Sequence, residues 1–308
     1  MTVTDDRKTW SFRATAVGRR HAYAYLSILP ALVILVLFSV YPVLYNLNLA
    51  FHRNVLTAPG QHPFVGMKNF TDLLKNPGLL RSFRTTAEFT VVIVLATIVL
   101  GILIALLLNE EFLGARALQV LVLIPWAIPV VMAGIIWRWM FAGNVGVING
   151  LFYSLGLIDT YYSFFGNPAT AKIALIVARV WKDVPLAAIL LLATLQVIPP
   201  ELYDAAKIDG GGAWATFRYI TFPFLRPTLT VLLILQTLIA FITFDLVYVM
   251  TGGGPADATT LVAWYAYTEI FTHLNLGRGA ALAFVIALLT LVMAVFYFLA
   301  LRSEEMYA

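Results

Sequence analysis

Long apolar runs separated by short polar segments set the pattern of this chain. ALVILVLFSV and VVIVLATIVLGILIALLL are unbroken stretches without the in–out alternation of a half-buried strand. A membrane-crossing helix needs about 20 mostly apolar residues, and six such segments are predicted, at residues 22–51, 87–108, 117–141, 173–195, 228–250 and 280–301. The expected fold class is all-α, a polytopic membrane protein with six transmembrane helices. A membrane barrel would need many short alternating segments, which this pattern does not supply. Between the fourth and fifth runs stands the one sizeable polar insert, PPELYDAAKIDGGGAWATFRYITFPFLRP, at residues 199–227.

Composition agrees: of 308 residues, 61% are hydrophobic and 12% charged, outside the range of water-soluble domains. The first apolar run follows a basic tail, is longer than a signal core and carries no small-residue cleavage site, so it is expected to stay as a span. Lys/Arg placement sets orientation. Arg7, Lys8, Arg13, Arg19 and Arg20 put the N-terminus in the cytoplasm, and an even number of spans returns Arg302 to the same side. Arg53, Lys68, Lys75, Arg81 and Arg84 in the first external loop work against this bias. The net charge of +4 follows from the cytoplasmic excess and calls for no nucleic-acid partner. The expected organisation is a cytoplasmic tail at 1–21, a membrane domain at 22–301 containing a cytoplasmic loop at 196–226, and a cytoplasmic tail at 302–308. External loops are expected at 52–84, 142–171 and 251–277.

The insert carries its own folding instructions. Pro200 fits a first helical turn, where its missing N–H would have no partner, and Glu201 and Asp204 suit the positive end of the helix dipole. Asp209 and Gly210-Gly211-Gly212 then stop the helix and reverse the chain. A second short helix is expected at 213–219, with Pro223 and Pro227 breaking the path before the fifth span. Ala205 and Ala206 give the first helix a face without bulk, and Asp204, Lys207 and Arg218 can orient a docking partner.

Ionisable groups at membrane depth are functional candidates by default. Arg179, Lys182 and Asp183 share one face of the fourth span, with Pro185 close by. They form either a ligand site or a structural ion-pair cluster. In the fifth span Gln236, Ala240 and Thr243 form a mildly polar stripe that suits a sugar hydroxyl or helix packing, while Asp245, on the opposite side, reads as a packing or salt-bridge residue. Trp137, Arg138 and Trp139 read as an interfacial belt with a snorkelling arginine, as does Glu88.

Asp204-Ala205-Ala206, Asp209-Gly210, Ile220 and Pro223 resemble the EAA loop of ABC importer permeases, and the wording YDAAKIDGGG with TFP is similar to the carbohydrate-uptake branch, which includes the maltose and glycerol-phosphate permeases. Pro125, Pro129, Trp181, Pro185 and the TGGGP of residues 251–255 extend the likeness over the length of the chain. The resemblance implies that Asp204, Ala205, Ala206, Lys207, Asp209, Gly210 and Arg218 form a coupling helix seated in a groove of a cytoplasmic ATPase. Aspartate in place of the usual glutamate, and a third glycine, alter the detailed contacts. The sugar-contacting positions it implies are Trp126, Val130, Arg179, Trp181, Lys182, Asp183, Gln236, Ala240 and Thr243; charges at 179, 182 and 183 replace smaller or neutral groups, so the sugar itself is not carried over. It further implies a second homologous permease, two ATPase subunits, an extracytoplasmic binding protein and a bacterial inner-membrane location. The substrate is expected to be a disaccharide or oligosaccharide, with trehalose named on wording alone.

The chain itself is expected to bind no cofactor and to be non-catalytic, with ATP and Mg on the partner ATPase. No G-x-x-x-x-G-K-[ST] sequence occurs, and the glycine runs lack the lysine of a phosphate loop. His21, His52, His62 and His273 fall in tails or loops without metal-ligand spacing. An ion-coupled secondary transporter, the alternative, would show inverted repeats with discontinuous helices, which the sequence does not display, and an intramembrane enzyme would need a nucleophile and base or a metal set at matching depth, whereas the spans offer no cysteine or histidine.

Overall fold

A computed structural model describes residues 25–58, 60, 62–110 and 112–305, with side chains to residue 299. The N-terminal tail, the first three residues of the first predicted span, Pro59 and the end of the C-terminal tail lie outside the described residues. Helices dominate, and among the described residues the only strand-like pairings are two isolated bridges, His52 with Phe64 and Val55 with Asn275.

Helix α1 covers Tyr25–Ala50. A short α2, Lys68–Leu74, lies in the loop before α3, Pro77–Asn109. Asn76 caps α3 by accepting from the Gly78 N–H at 2.8 Å, with Pro77 in the first turn, so this helix begins ten residues ahead of the predicted span. The third predicted span is not continuous: α4, Ala115–Ala127, and α5, Val130–Met140, meet at an angle of 95°. Pro129 forces the break, because Ile128 before it takes an extended conformation (ψ 131°). After α6, Val147–Ser154, the 28-residue α7, Pro168–Leu195, matches the fourth predicted span.

The hairpin follows as α8, Pro200–Ile208, and α9, Ala213–Phe241. Here expectation and structure part. Pro223 and Pro227 do not break the path; they lie within a helix that runs from the hairpin into the fifth span. A π-turn at Phe217–Thr221, closed by Phe222 N–H on the Phe217 carbonyl, sits immediately ahead of Pro223 and widens the helix where the proline ring would meet the carbonyl four residues back. α1 repeats the device, with a π-turn at Val36–Val40 ahead of Pro42. The fifth span also ends early. α9 stops at Phe241, the chain bends through Ile242–Thr243–Phe244, and α10 occupies Asp245–Met250. The assumption of one continuous helical face from Gln236 to Asp245 is therefore corrected: Asp245 opens a new helix, is exposed, and has no ion pair among the described residues. α11, Val262–Phe271, and α12, Leu276–Glu305, complete the order.

Among the described residues four helices, α1, α3, α9 and α12, are long and apolar enough to cross a membrane, and the bent α4–α5 pair makes a fifth if taken as one pass, one fewer than the six predicted. α7 has the length but carries Arg179, Lys182 and Asp183. It packs parallel to α3 in the centre of the bundle. At one end Lys172 pairs with Glu88, and at the other Ala105 and Leu108 share a cluster with Leu191, Leu195, Leu225 and Leu232. The close approach at mid-length needs a glycine: a Cβ on Gly101 would come within 3.0 Å of the Ala187 Cβ. A second cluster, at the end away from the hairpin, joins Phe89, Ile93, Ala178, Ala240, Leu246 and Met250.

Candidate functional site

The hairpin is built from local chemistry. Asp209 ends α8, and Gly210 takes φ 76°, the left-handed conformation that glycine adopts without strain. Gly210 N–H donates to the Lys207 carbonyl at 3.1 Å and Gly211 N–H to the Ala206 carbonyl at 2.8 Å, the paired bonds of a Schellman stop. Gly212 then opens α9. Tyr203 and Thr221 hydroxyls, 3.3 Å apart, tie the two arms, and Tyr203 and Ile220 pack on the α7–α9 core. The outer surface has no cover among the described residues. Asp204, Ala205, Lys207, Asp209, Gly210 and Arg218 are exposed, and Ala206 is half-buried. Ile208 and Trp214 are 86% and 75% exposed, an apolar cost in water that a partner surface would remove. Asp204 and Lys207 form a solvent-exposed ion pair at 3.2 Å. Arg218 and Arg226 flank the Phe222 ring at 5.8 and 5.6 Å, bracing the junction where the lever enters the membrane helix.

Within the bundle the predicted charges have partners in this chain. Arg179 Nε donates to Asp183 Oδ2 at 2.7 Å, one turn apart on α7, and both residues are buried, at 5% and 8% exposure. Lys182 reaches across to the break in the third span, where its Nζ donates to the carbonyls of Trp126 at 3.0 Å and Ile128 at 2.7 Å. A helix that ends at membrane depth leaves carbonyls unpaired, and Lys182 supplies the missing donor. Its target lies more than 50 residues away in sequence, so spacing alone carries no sign of it. Replacing Lys182 with methionine, which keeps an unbranched apolar stem and removes the donor, is expected to cost about 1–3 kcal/mol through the two lost charge-assisted bonds. A lowered melting temperature of the purified complex would show this, and an unchanged one would mean that the carbonyls find water instead.

The other predicted positions separate. Trp181 meets Trp137 edge-on with ring centroids 5.6 Å apart, and Val130 and Ala240 belong to the same apolar cluster. Trp126 is 48% exposed. Gln236 is buried with its Oε1 unpartnered among the described residues, whereas the Thr243 hydroxyl donates to the Ile239 carbonyl at 3.1 Å. Trp137 is a core residue stacked on Phe141 and not part of an interfacial belt; Trp139 is exposed, as a belt residue would be, and Arg138 donates to the Val249 carbonyl at 3.0 Å. Glu88 bridges Arg84 and Lys172 at 2.9 and 3.4 Å. No group of three or more metal-ligating side chains occurs among the described residues.

The described residues thus form a helical bundle with an exposed, glycine-stopped hairpin continuous with one of its membrane helices. The chain belongs to the family of binding-protein-dependent transport system inner membrane components, whose match covers residues 97–303. Similar proteins include a trehalose/maltose transport system permease, MalF, of Thermococcus litoralis, 38% identical over 91% of this chain and 93% of its own length. A diacetylchitobiose uptake system permease, DasB, of Streptomyces coelicolor is 35% identical over 98% and 94%. The fold matches a bacterial ABC transporter chain involved in import of the polysaccharide alginate, with a TM-score of 0.81, 22% identity and coverage of 96% and 100%. The chain is therefore a multi-pass inner-membrane permease subunit, non-catalytic, working with a partner permease, ATPase subunits and a binding protein. ATP hydrolysis belongs to the partner, which leaves the ion-coupled alternative without support.

Proposed function

We propose that this subunit imports a disaccharide or oligosaccharide, with trehalose the first candidate, by alternating access. The observation that carries this reading is the uncovered hairpin fused to α9: movement of α8 in an ATPase groove passes directly into the helix bearing Gln236 and Ala240. The trehalose/maltose and diacetylchitobiose relatives support the substrate class. Both termini and the hairpin then face the cytoplasm, and the Glu88–Lys172 end faces outward. Trp126 and Trp181 supply aromatic faces for sugar rings, and Gln236, Ala240 and Thr243 supply the amide, the space and the hydroxyl beside them. Arg179, Lys182 and Asp183, already engaged within the chain, position these groups and hold the broken third span against α7.

The test is uptake of labelled trehalose, maltose and diacetylchitobiose by the reconstituted complex with its binding protein. The expected result is ATP-dependent uptake of trehalose. Uptake driven by an ion gradient without the ATPase would overturn the mechanism, and selection of a monosaccharide would overturn the substrate class.

A further inference from the structure

At the bundle end away from the hairpin, two cavities meet. One, of about 640 Å³, has a mixed lining that includes the charged side chains Arg81, Arg84, Glu88, Lys172 and Asp257. The other, of about 200 Å³, is an apolar slot between α3 and α7 walled by Phe89, Val92, Leu175, Ile176 and Leu261. Thr85, Glu88 and Lys172 line both, so the two form one site with a polar head and an apolar tail. From Arg81 to Val92 is about 16 Å along the helix axis at 1.5 Å per residue.

Charge distinguishes the head. Three cations, Arg81, Arg84 and Lys172, stand against two carboxylates, Glu88 and Asp257. Glu88 is shared between Arg84 and Lys172, whereas Arg81 and Asp257 have no ion pair among the described residues, which leaves the head with one net positive charge. Tyr265 also lines the head; burial, then its neighbour Glu269, raises its phenol pKa.

We propose that this compound cavity binds an anionic phospholipid, its phosphate among Arg81, Arg84 and Lys172 and the start of an acyl chain in the slot between α3 and α7. The orientation given above makes this a lipid of the outer leaflet, and in that clause alone the inference rests on the transport reading. The slot selects the class. A sugar there would set most of its hydroxyls against the apolar walls of Phe89, Val92, Leu175, Ile176 and Leu261, and a free phosphate or an acidic side chain of a docked protein would use the head and leave the slot empty. An amphiphile satisfies both compartments, and its headgroup supplies the negative charge that Arg81 lacks. A lipid so placed would bridge the outer ends of α3 and α7, the two helices on which the bundle is centred.

Native mass spectrometry of the purified complex, with phosphatidylglycerol or phosphatidylcholine of equal chain length added, tests the site without sugar or ATP. Its outcome is thereby independent of the uptake assays. One phosphatidylglycerol should be retained in preference to phosphatidylcholine, by about fivefold for one unopposed cation at the interface. Arg81→Ala should remove that preference. Val92→Trp, at a position 45% exposed where the added bulk can be tolerated, should close the slot and release both lipids. Equal retention of the two lipids, or a Val92→Trp complex that still holds phosphatidylglycerol, would overturn the proposal. Displacement of the lipid by glycerol phosphate at matched concentration would reassign the head to a free phosphate. No retained lipid, with Lys172 protected from amine labelling by the binding protein, would assign the cavity to that protein.

Discussion

Asp183→Ala is expected to lose about 3–5 kcal/mol of stability and most uptake, because it leaves the Arg179 guanidinium buried without its carboxylate. The pair is bonded at 2.7 Å in the centre of α7, the helix that also holds the broken third span through Lys182. Neutralising both partners with Arg179→Leu and Asp183→Leu should restore most of the stability, since an apolar pair of similar bulk removes the orphaned charge. Asp245→Ala, at an exposed helix start, should stay within about 0.5 kcal/mol of the parent. Thermal melting of the purified complex reads stability, and sugar-stimulated uptake reads function. If Asp183→Ala kept its melting temperature and lost only sugar dependence, the carboxylate would be a ligand group and the structural role assigned to it would be wrong.

What could be read from the sequence follows the range of the forces involved. The first arm of the hairpin was legible, because its start at Pro200 and the reversal at Gly210 are decided by adjacent groups: a proline without an N–H and a glycine free to take positive φ. Four of the six expected membrane passes, and a fifth where the bent α4–α5 pair is taken as one, were legible from apolarity, though their ends were not. Asn76 and Pro77 begin α3 in polar sequence that hydropathy assigns to a loop. The break after Phe241 has no proline or glycine to announce it; the chain bends there so that Leu246, Val247 and Met250 can bury themselves, a tertiary gain invisible in an unbroken apolar run. The prolines misled in the other direction. Pro223 and Pro227 look like stops, yet a π-turn absorbs the first and a membrane helix continues through the second. Among the candidate site residues, the Arg179–Asp183 pair was visible from i,i+4 spacing, whereas the service of Lys182 to the carbonyls of Trp126 and Ile128 depends on a fold-level contact.

Gly210→Pro is expected to abolish ATP-coupled uptake while leaving the subunit in the membrane. Proline fixes φ near about −65° where the chain needs 76°, and it removes the N–H that donates to the Lys207 carbonyl at 3.1 Å, so the stop of α8 cannot form. The damage stays local, because Gly210 is exposed and a Cβ there meets nothing within 4 Å. That same open space separates conformation from bulk: Gly210→Ala should fold, pay about 1–2 kcal/mol for the left-handed backbone, and keep partial coupling. Basal ATP hydrolysis by the assembled complex should persist in the proline variant without stimulation by sugar-loaded binding protein, which distinguishes a broken lever from lost assembly. The lever account is sound only if sugar-stimulated hydrolysis and uptake fall together; full uptake in Gly210→Pro would show that force reaches α9 by another route.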